Sequence, residues 1–140
     1  MSDEREAAAL TWLAFAIGDL EAARSQGGRH VRPRHVANAA QQAAEKALKA
    51  ALVLSGVEPP RTHDLDDLRN RLPVEWRVKR RHPDLARLSD LAVDSRYPDN
   101  IDPVTPIQSA TAVRQAKAVV RMIPEDCEAH GVGTAGLEPR

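Results

Sequence analysis

The chain has 140 residues, the size of one ordinary domain around a single core. Twenty Lys and Arg balance twenty Asp and Glu, so no net field selects nucleic acid or an anionic membrane as a partner. Only four residues are aromatic while Ala occurs twenty-three times, a composition that speaks against a sandwich or barrel and predicts an all-α domain.

Residues 3–25 carry Leu10, Leu13, Ile17 and Leu20 at helical spacing, with Trp12 and Phe15 flanking that stripe. Ser2 is placed to cap this helix, the acids after it suit the positive end of the macrodipole, and Gly27-Gly28 stops it. A second helix starts near Pro33 and runs to Ser55 before Gly56. At 1.5 Å per residue it spans about 35 Å and is the expected spine. Val36, Ala40, Ala43, Ala47 and Leu54 line its core face, and its alanines let a neighbouring helix approach closely. Glu58-Pro59-Pro60 forbids continuation. A short helix is expected from Asp64, with Leu65, Leu68 and Leu72 inward and Pro73 closing it. Pro83 opens a fourth helix with Leu85, Leu88, Leu91 and Ala92 on one side, and residues 97–103 read as an ordered loop. Thr105, Pro106 and Gln108 give the last helix a cap, a first-turn proline and a capping box. Val113, Ala116, Val120 and Ile123 face the core from it until Pro124 ends or kinks it. The sum is an up-and-down bundle of four to five helices over residues 1–125, with 126–140 a flexible C-terminal tail.

The first residues are acidic where a secretory leader is basic, and no apolar stretch approaches the roughly 18–20 residues that span a bilayer. With a single cysteine, Cys127, no disulfide framework is available, so a cytoplasmic location and no membrane partner are expected. The five histidines are scattered, no His-x-x-x-His or Glu-x-x-His occurs, and no Gly-rich loop continues as a phosphate loop. Neither a metal nor a cofactor is expected.

Chemistry concentrates in residues 38–50, Asn38 to Ala50. Gln41, Glu45 and Lys49 recur every four residues and share one helix face, with Gln42 and Lys46 beside them. Three readings stay open: a solvated face with a Glu45–Lys49 pair worth a few tenths of a kcal/mol, a polar groove against the Thr62–Leu65 turn that holds a phosphate or nucleobase, or a surface between two copies. His63 next to Asp64 is either an imidazole oriented by a carboxylate or the flank of a helix cap. Arg96 and Asp99 around Tyr97 form a charged turn fixed by Pro98.

The run Gln41-Gln42-Ala43-Ala44-Glu45-Lys46-Ala47-Leu48-Lys49-Ala50, followed by Thr62-His63-Asp64-Leu65 and then Arg96-Tyr97-Pro98-Asp99, resembles the HEPN ("higher eukaryotes and prokaryotes nucleotide-binding") domain family. The resemblance runs from Trp12 to about Ile123. One departure is visible: Asn38-Ala39 stand where the family often has an aromatic residue followed by His. The resemblance implies an all-α homodimer acting as a nucleotide- or partner-binding module, one half of a toxin–antitoxin-type pair with a minimal nucleotidyltransferase. It further implies a ligand or partner surface built from Gln41, Gln42, Glu45, Lys46, Lys49, His63 and Asp64. Tyr97, in the loop with Arg96 and Asp99, is then a target for nucleotidyl transfer.

Two alternatives stand beside it, the first also implied by the resemblance. Ribonuclease members of the family use an Arg followed four to six positions later by His, the imidazole as acid/base and the guanidinium on the phosphorane charge. Arg24…His30, Arg29…His35 and Arg77…His82 match, against roughly 1.7 such pairs expected by chance from sixteen arginines and five histidines. Arg77 and His82 are the candidates for a metal-independent ribonuclease toxin. Basic runs at 24–35 and 69–82, with Arg114, Lys117 and Arg121 on the last helix, provide for RNA or an acidic partner. The other alternative is a structural helical adaptor without a small ligand.

Overall fold

In a computed structural model, residues 2–26, 31–91 and 103–134 are described. They form six helices and no strand: α1 (Ser2–Gln26), α2 (Pro33–Leu54), α3 (Leu65–Asn70), α4 (Arg77–Arg81), α5 (Ala86–Asp90) and α6 (Pro106–Ala129). The fold is all-α, as the composition predicts.

α2 is the spine. Its alanines at 37, 40, 43, 44, 47, 50 and 51 are buried on more than one side, because α1 and α6 both pack on it and α3 and α5 cover part of the remainder. Small side chains permit that close approach. α1 lies antiparallel to α2: Asp19 meets Lys46, Trp12 lies by Lys49, and Arg5 touches Gly56. α6 runs parallel to α2, since Pro106 and Ser109 share a groove with Pro33 and Val36 while His130 and Val132 sit near Leu54 and Ser55. The return leg between α2 and α6 is therefore α3–α5, three short helices instead of one long one. Leu65, Leu68, Leu72, Trp76, Val78, Leu85 and Leu88 from this leg close the core, each fully or almost fully buried. Burying one such leucine is worth about 1.5–3 kcal/mol.

Several local expectations need correction. Ser2 is already the first residue of α1. Pro83 does not open a helix; the Asp84 carboxylate accepts from the Ala86 N–H at 3.1 Å and α5 starts there. The basic stretch after Trp76 forms the short α4, which carries no clear periodicity in sequence. Pro124 neither ends nor breaks α6, which continues to Ala129 because Ile123, Pro124, Asp126 and Cys127 are all buried. The domain boundary expected at residue 125 thus falls inside a helix, and beyond it Val132 and Thr134 are also buried. Gly27-Gly28, Ala92 and residues 135–140 lie outside the described residues. Among the described residues no helix is long and apolar enough to cross a membrane.

The caps that sequence locates are present. Thr105 Oγ1 accepts from the Gln108 N–H at 3.1 Å while Gln108 Oε1 accepts from the Thr105 N–H at 2.9 Å. The Asp64 carboxylate accepts from the Asp66 and Asp67 N–H groups at 3.0 and 3.2 Å.

Candidate functional site

The strip on α2 does not face solvent. Gln41 and Glu45 are buried, and Gln42, Lys46 and Lys49 are half-buried. The solvated-face reading is thereby overturned. The cause is the segment between α2 and α3, which folds back over that side of α2 and brings His63 onto it.

The turn is built locally. The Thr62 N–H donates to the Pro60 carbonyl at 3.0 Å, and Thr62 Oγ1 accepts from the Asp64 N–H at 3.1 Å. Asp64 then caps α3, which leaves His63 as the last residue before the cap. Gln41 Nε2 donates to the His63 carbonyl at 3.1 Å and so anchors the turn to α2. The carboxylate partner of the imidazole is Glu45 and not the adjacent Asp64: His63 Nδ1 lies 2.7 Å from Glu45 Oε1. Lys49 Nζ donates to Glu45 Oε2 at 3.0 Å, and Gln41 Nε2 reaches Glu45 Oε1 at 3.3 Å. Gln42 Nε2 donates to Gln41 Oε1 at 2.9 Å. Lys49 Nζ also stands 5.7 Å from the Trp12 ring centroid, a cation–π contact.

This network has one exposed end. The Glu45 side chain is 5 % exposed and that of His63 is 73 % exposed. Burial by itself raises the Glu45 carboxyl, but hydrogen bonds from His63, Lys49 and Gln41 and the Lys49 charge outweigh it and hold its pKa below the ordinary value. An ionised carboxylate on Nδ1 favours the Nδ1–H tautomer, which turns Nε2 outward as an acceptor or base. The ring borders a cleft of about 340 Å³ lined by His63, Asp64, Asp66, Ala86, Ser89 and Asp90. Ser89 Oγ there accepts from the Leu65 N–H at 2.9 Å, and Asp66 accepts from the Leu85 N–H at 2.8 Å and pairs with Arg69. Asp66 stands three residues beyond His63 on α3, whereas Ser89 and Asp90 were not legible as site residues; only the packing of α5 against α3 brings those two to His63.

Lys46 leaves the group. It pairs with Asp19 at 2.6 Å and lies 6.0 Å from the Phe15 ring. Arg96, Tyr97 and Asp99 lie outside the described residues, as do Arg29 and His30. Arg77 and His82 stand at opposite ends of α4. The Arg77 backbone N–H and Nε donate to Asp126 at 2.9 and 2.6 Å and Nη2 to Glu125 at 2.7 Å, hydrogen bonds that raise its pKa. His82 is half-buried, burial pushes its pKa down, and its carbonyl accepts from Arg69 at 2.9 Å. Within the basic run at 69–82, Arg71 pairs with Asp67 and Lys79 donates to the carbonyls of Asn70 and Leu72. Among the described residues no group of three or more His, Cys, Asp or Glu is placed to hold a metal ion.

The family model for the HEPN domain matches residues 9–127. The chain belongs to the HEPN domain family. The solved structure described as the crystal structure of TT1696 from Thermus thermophilus is similar to this HEPN domain at 27 % identity and a TM-score of 0.70, over 84 % of this chain and 96 % of that one. Comparison with curated protein sequences gives no match. The family match spans the strip on α2, the His63 turn and the Arg77–Asp126 clamp, so all three belong to the HEPN domain itself.

Proposed function

We propose that this HEPN domain is a non-catalytic binding module: a cytoplasmic homodimer that takes a minimal nucleotidyltransferase as its partner, in the manner of a toxin–antitoxin pair. The observation that carries this reading is the Glu45–His63 pair. Burying a carboxylate is costly even when it is well paired, and an apolar side chain of similar volume is often at least as stabilising. A network that spends Gln41, Glu45 and Lys49 on one exposed imidazole is better explained by what it does to His63 than by stability.

The chemistry around His63 favours a protein partner over a free nucleotide. Asp64, Asp66 and Asp90 line the same cleft, so a polyphosphate meets three carboxylates there. A guanidinium, an ammonium or an amide edge on a protein surface meets acceptors. The ribonuclease alternative asks Arg77 to stabilise phosphorane charge, yet Asp126 and Glu125 already occupy its guanidinium. Tyr97 remains the proposed acceptor if the partner transfers a nucleotidyl group.

Co-expression with a minimal nucleotidyltransferase followed by affinity capture tests the reading. Stable capture that weakens with His63→Ala supports it, and mass mapping of any transferred nucleotide reports on Tyr97. Growth arrest by the chain alone, relieved by His82→Ala, establishes the ribonuclease instead. Neither capture nor arrest, with no thermal shift from any nucleotide, leaves the adaptor.

A further inference from the structure

The groove where α1 ends and α2 and α6 begin is separate from the His63 turn: Pro33 precedes Glu45 by twelve residues, about 18 Å along α2. It holds about 660 Å³, within the range of small-molecule sites. Its walls are aliphatic, with Val31, Val36 and Val113 joined by Ala23 and Ala110. Ile107, three residues before Ala110 on α6 and 79 % exposed, continues the apolar surface outside it. The polar lining consists of Arg24, Ser109 and Arg114. Among the described residues that line the groove there is no carboxylate, amide or aromatic side chain.

The electrostatics of the groove favour an anion. α2 and α6 are 22 and 24 residues long, and both open on it with a proline in the first turn, Pro33 and Pro106. Each brings the positive end of its macrodipole, whereas α1 brings one negative end, which Arg24 in its last turn offsets. No side chain caps α2. Arg114 Nη2 donates to Thr111 Oγ1 at 3.1 Å, a neutral acceptor, so among the described residues its charge is not spent on a carboxylate. Ser109 Oγ donates to the Pro106 carbonyl at 3.0 Å and keeps only lone pairs for a ligand. We infer that the groove binds an aliphatic carboxylate, its head on the Arg114 guanidinium at the rim and its chain along the valines. A nucleotide is the poorer match, because its base finds no aromatic face to stack on and only Ser109 Oγ to accept from its N–H edge. An ammonium meets two guanidiniums and two helix N-termini. This site is independent of the partner reading for His63.

Calorimetric titration of the full chain with octanoate tests this. The expected dissociation constant is about 1 mM or tighter. Butyrate, with a shorter chain, and octylamine, with the opposite head charge, bind at least about tenfold more weakly. Arg114→Met weakens octanoate binding at least about tenfold and Ala110→Glu abolishes it. Both variants keep helical circular dichroism, because both positions are exposed. Absence of saturation at about 10 mM octanoate overturns the inference. Equal affinity for octylamine overturns the assignment of the head group, and unchanged affinity in either variant overturns its placement in the groove. Displacement of octanoate by an equimolar amount of AMP overturns the carboxylate and gives the groove to a nucleotide.

Discussion

Replacing Glu45 by Gln keeps the shape of the side chain and removes its charge. Lys49 Nζ, 3.0 Å from Oε2, then faces an amide in place of a carboxylate, and His63 Nδ1 at 2.7 Å loses its ionic acceptor. A hydrogen bond to a charged group is worth about 1.5–3 kcal/mol, and the Lys49 side chain is only 12 % exposed, so solvent replaces little of what is lost. The expected cost is about 2–4 kcal/mol, or roughly 10 °C in Tm for a domain of this size. Because the folded Glu45 pKa lies below its ordinary value of 4.5, its contribution is complete above pH 4.5 and is lost as pH falls through the lower folded value. The gap between wild type and Glu45→Gln, followed by circular dichroism melts, therefore closes as pH falls below about 4.5. Melting temperatures within about 1 °C of each other at neutral pH, or a gap that widens in acid, refute the reasoning.

Three further outcomes are expected. Burial lowers the His82 pKa from 6.5, so the fold binds that proton more weakly than the unfolded chain and loses stability as pH falls from above 6.5 through the folded value; His82→Gln shows a smaller drop in Tm between about pH 7.5 and about pH 5. The Cys127 thiol is buried and pushed up to about 11 by burial and then by Asp126 and Glu128, so a thiol reagent at about pH 8 labels it only after denaturant is added. Arg77→Met leaves the buried Asp126 carboxylate without its guanidinium and costs about 2–4 kcal/mol in urea melts, and adding Asp126→Asn recovers part of that.

Elements specified by adjacent residues could be read directly. Thr105, Pro106 and Gln108 lie within one turn of each other, and Asp64 needs only the N–H groups two and three residues ahead. The Ala-rich periodicity of α2 and its opening proline are local in the same sense. What sequence could not carry was the burial of Gln41 and Glu45. An i, i+4 carboxylate–lysine pair looks the same on a solvated face as under a turn, and the residue that decides between them, His63, is 18 positions from Glu45. Pro124 misled for a related reason: its missing N–H argues for a helix end, but packing of Ile123, Asp126 and Cys127 carries α6 past it. Arg77 shows the same blindness on the chemical side. Its spacing to His82 is visible in sequence, whereas its commitment to Asp126, 49 residues away, is not.

Isothermal titration of the purified chain with a minimal nucleotidyltransferase tests most directly whether His63, held outward by Glu45, is the recognition group of a binding module. The expected result is a dissociation constant of about 1 μM or tighter for the wild type and a loss of at least about tenfold for His63→Ala, with circular dichroism showing the variant still helical. Equal affinity for the two proteins, or no heat of binding with either, contradicts the account.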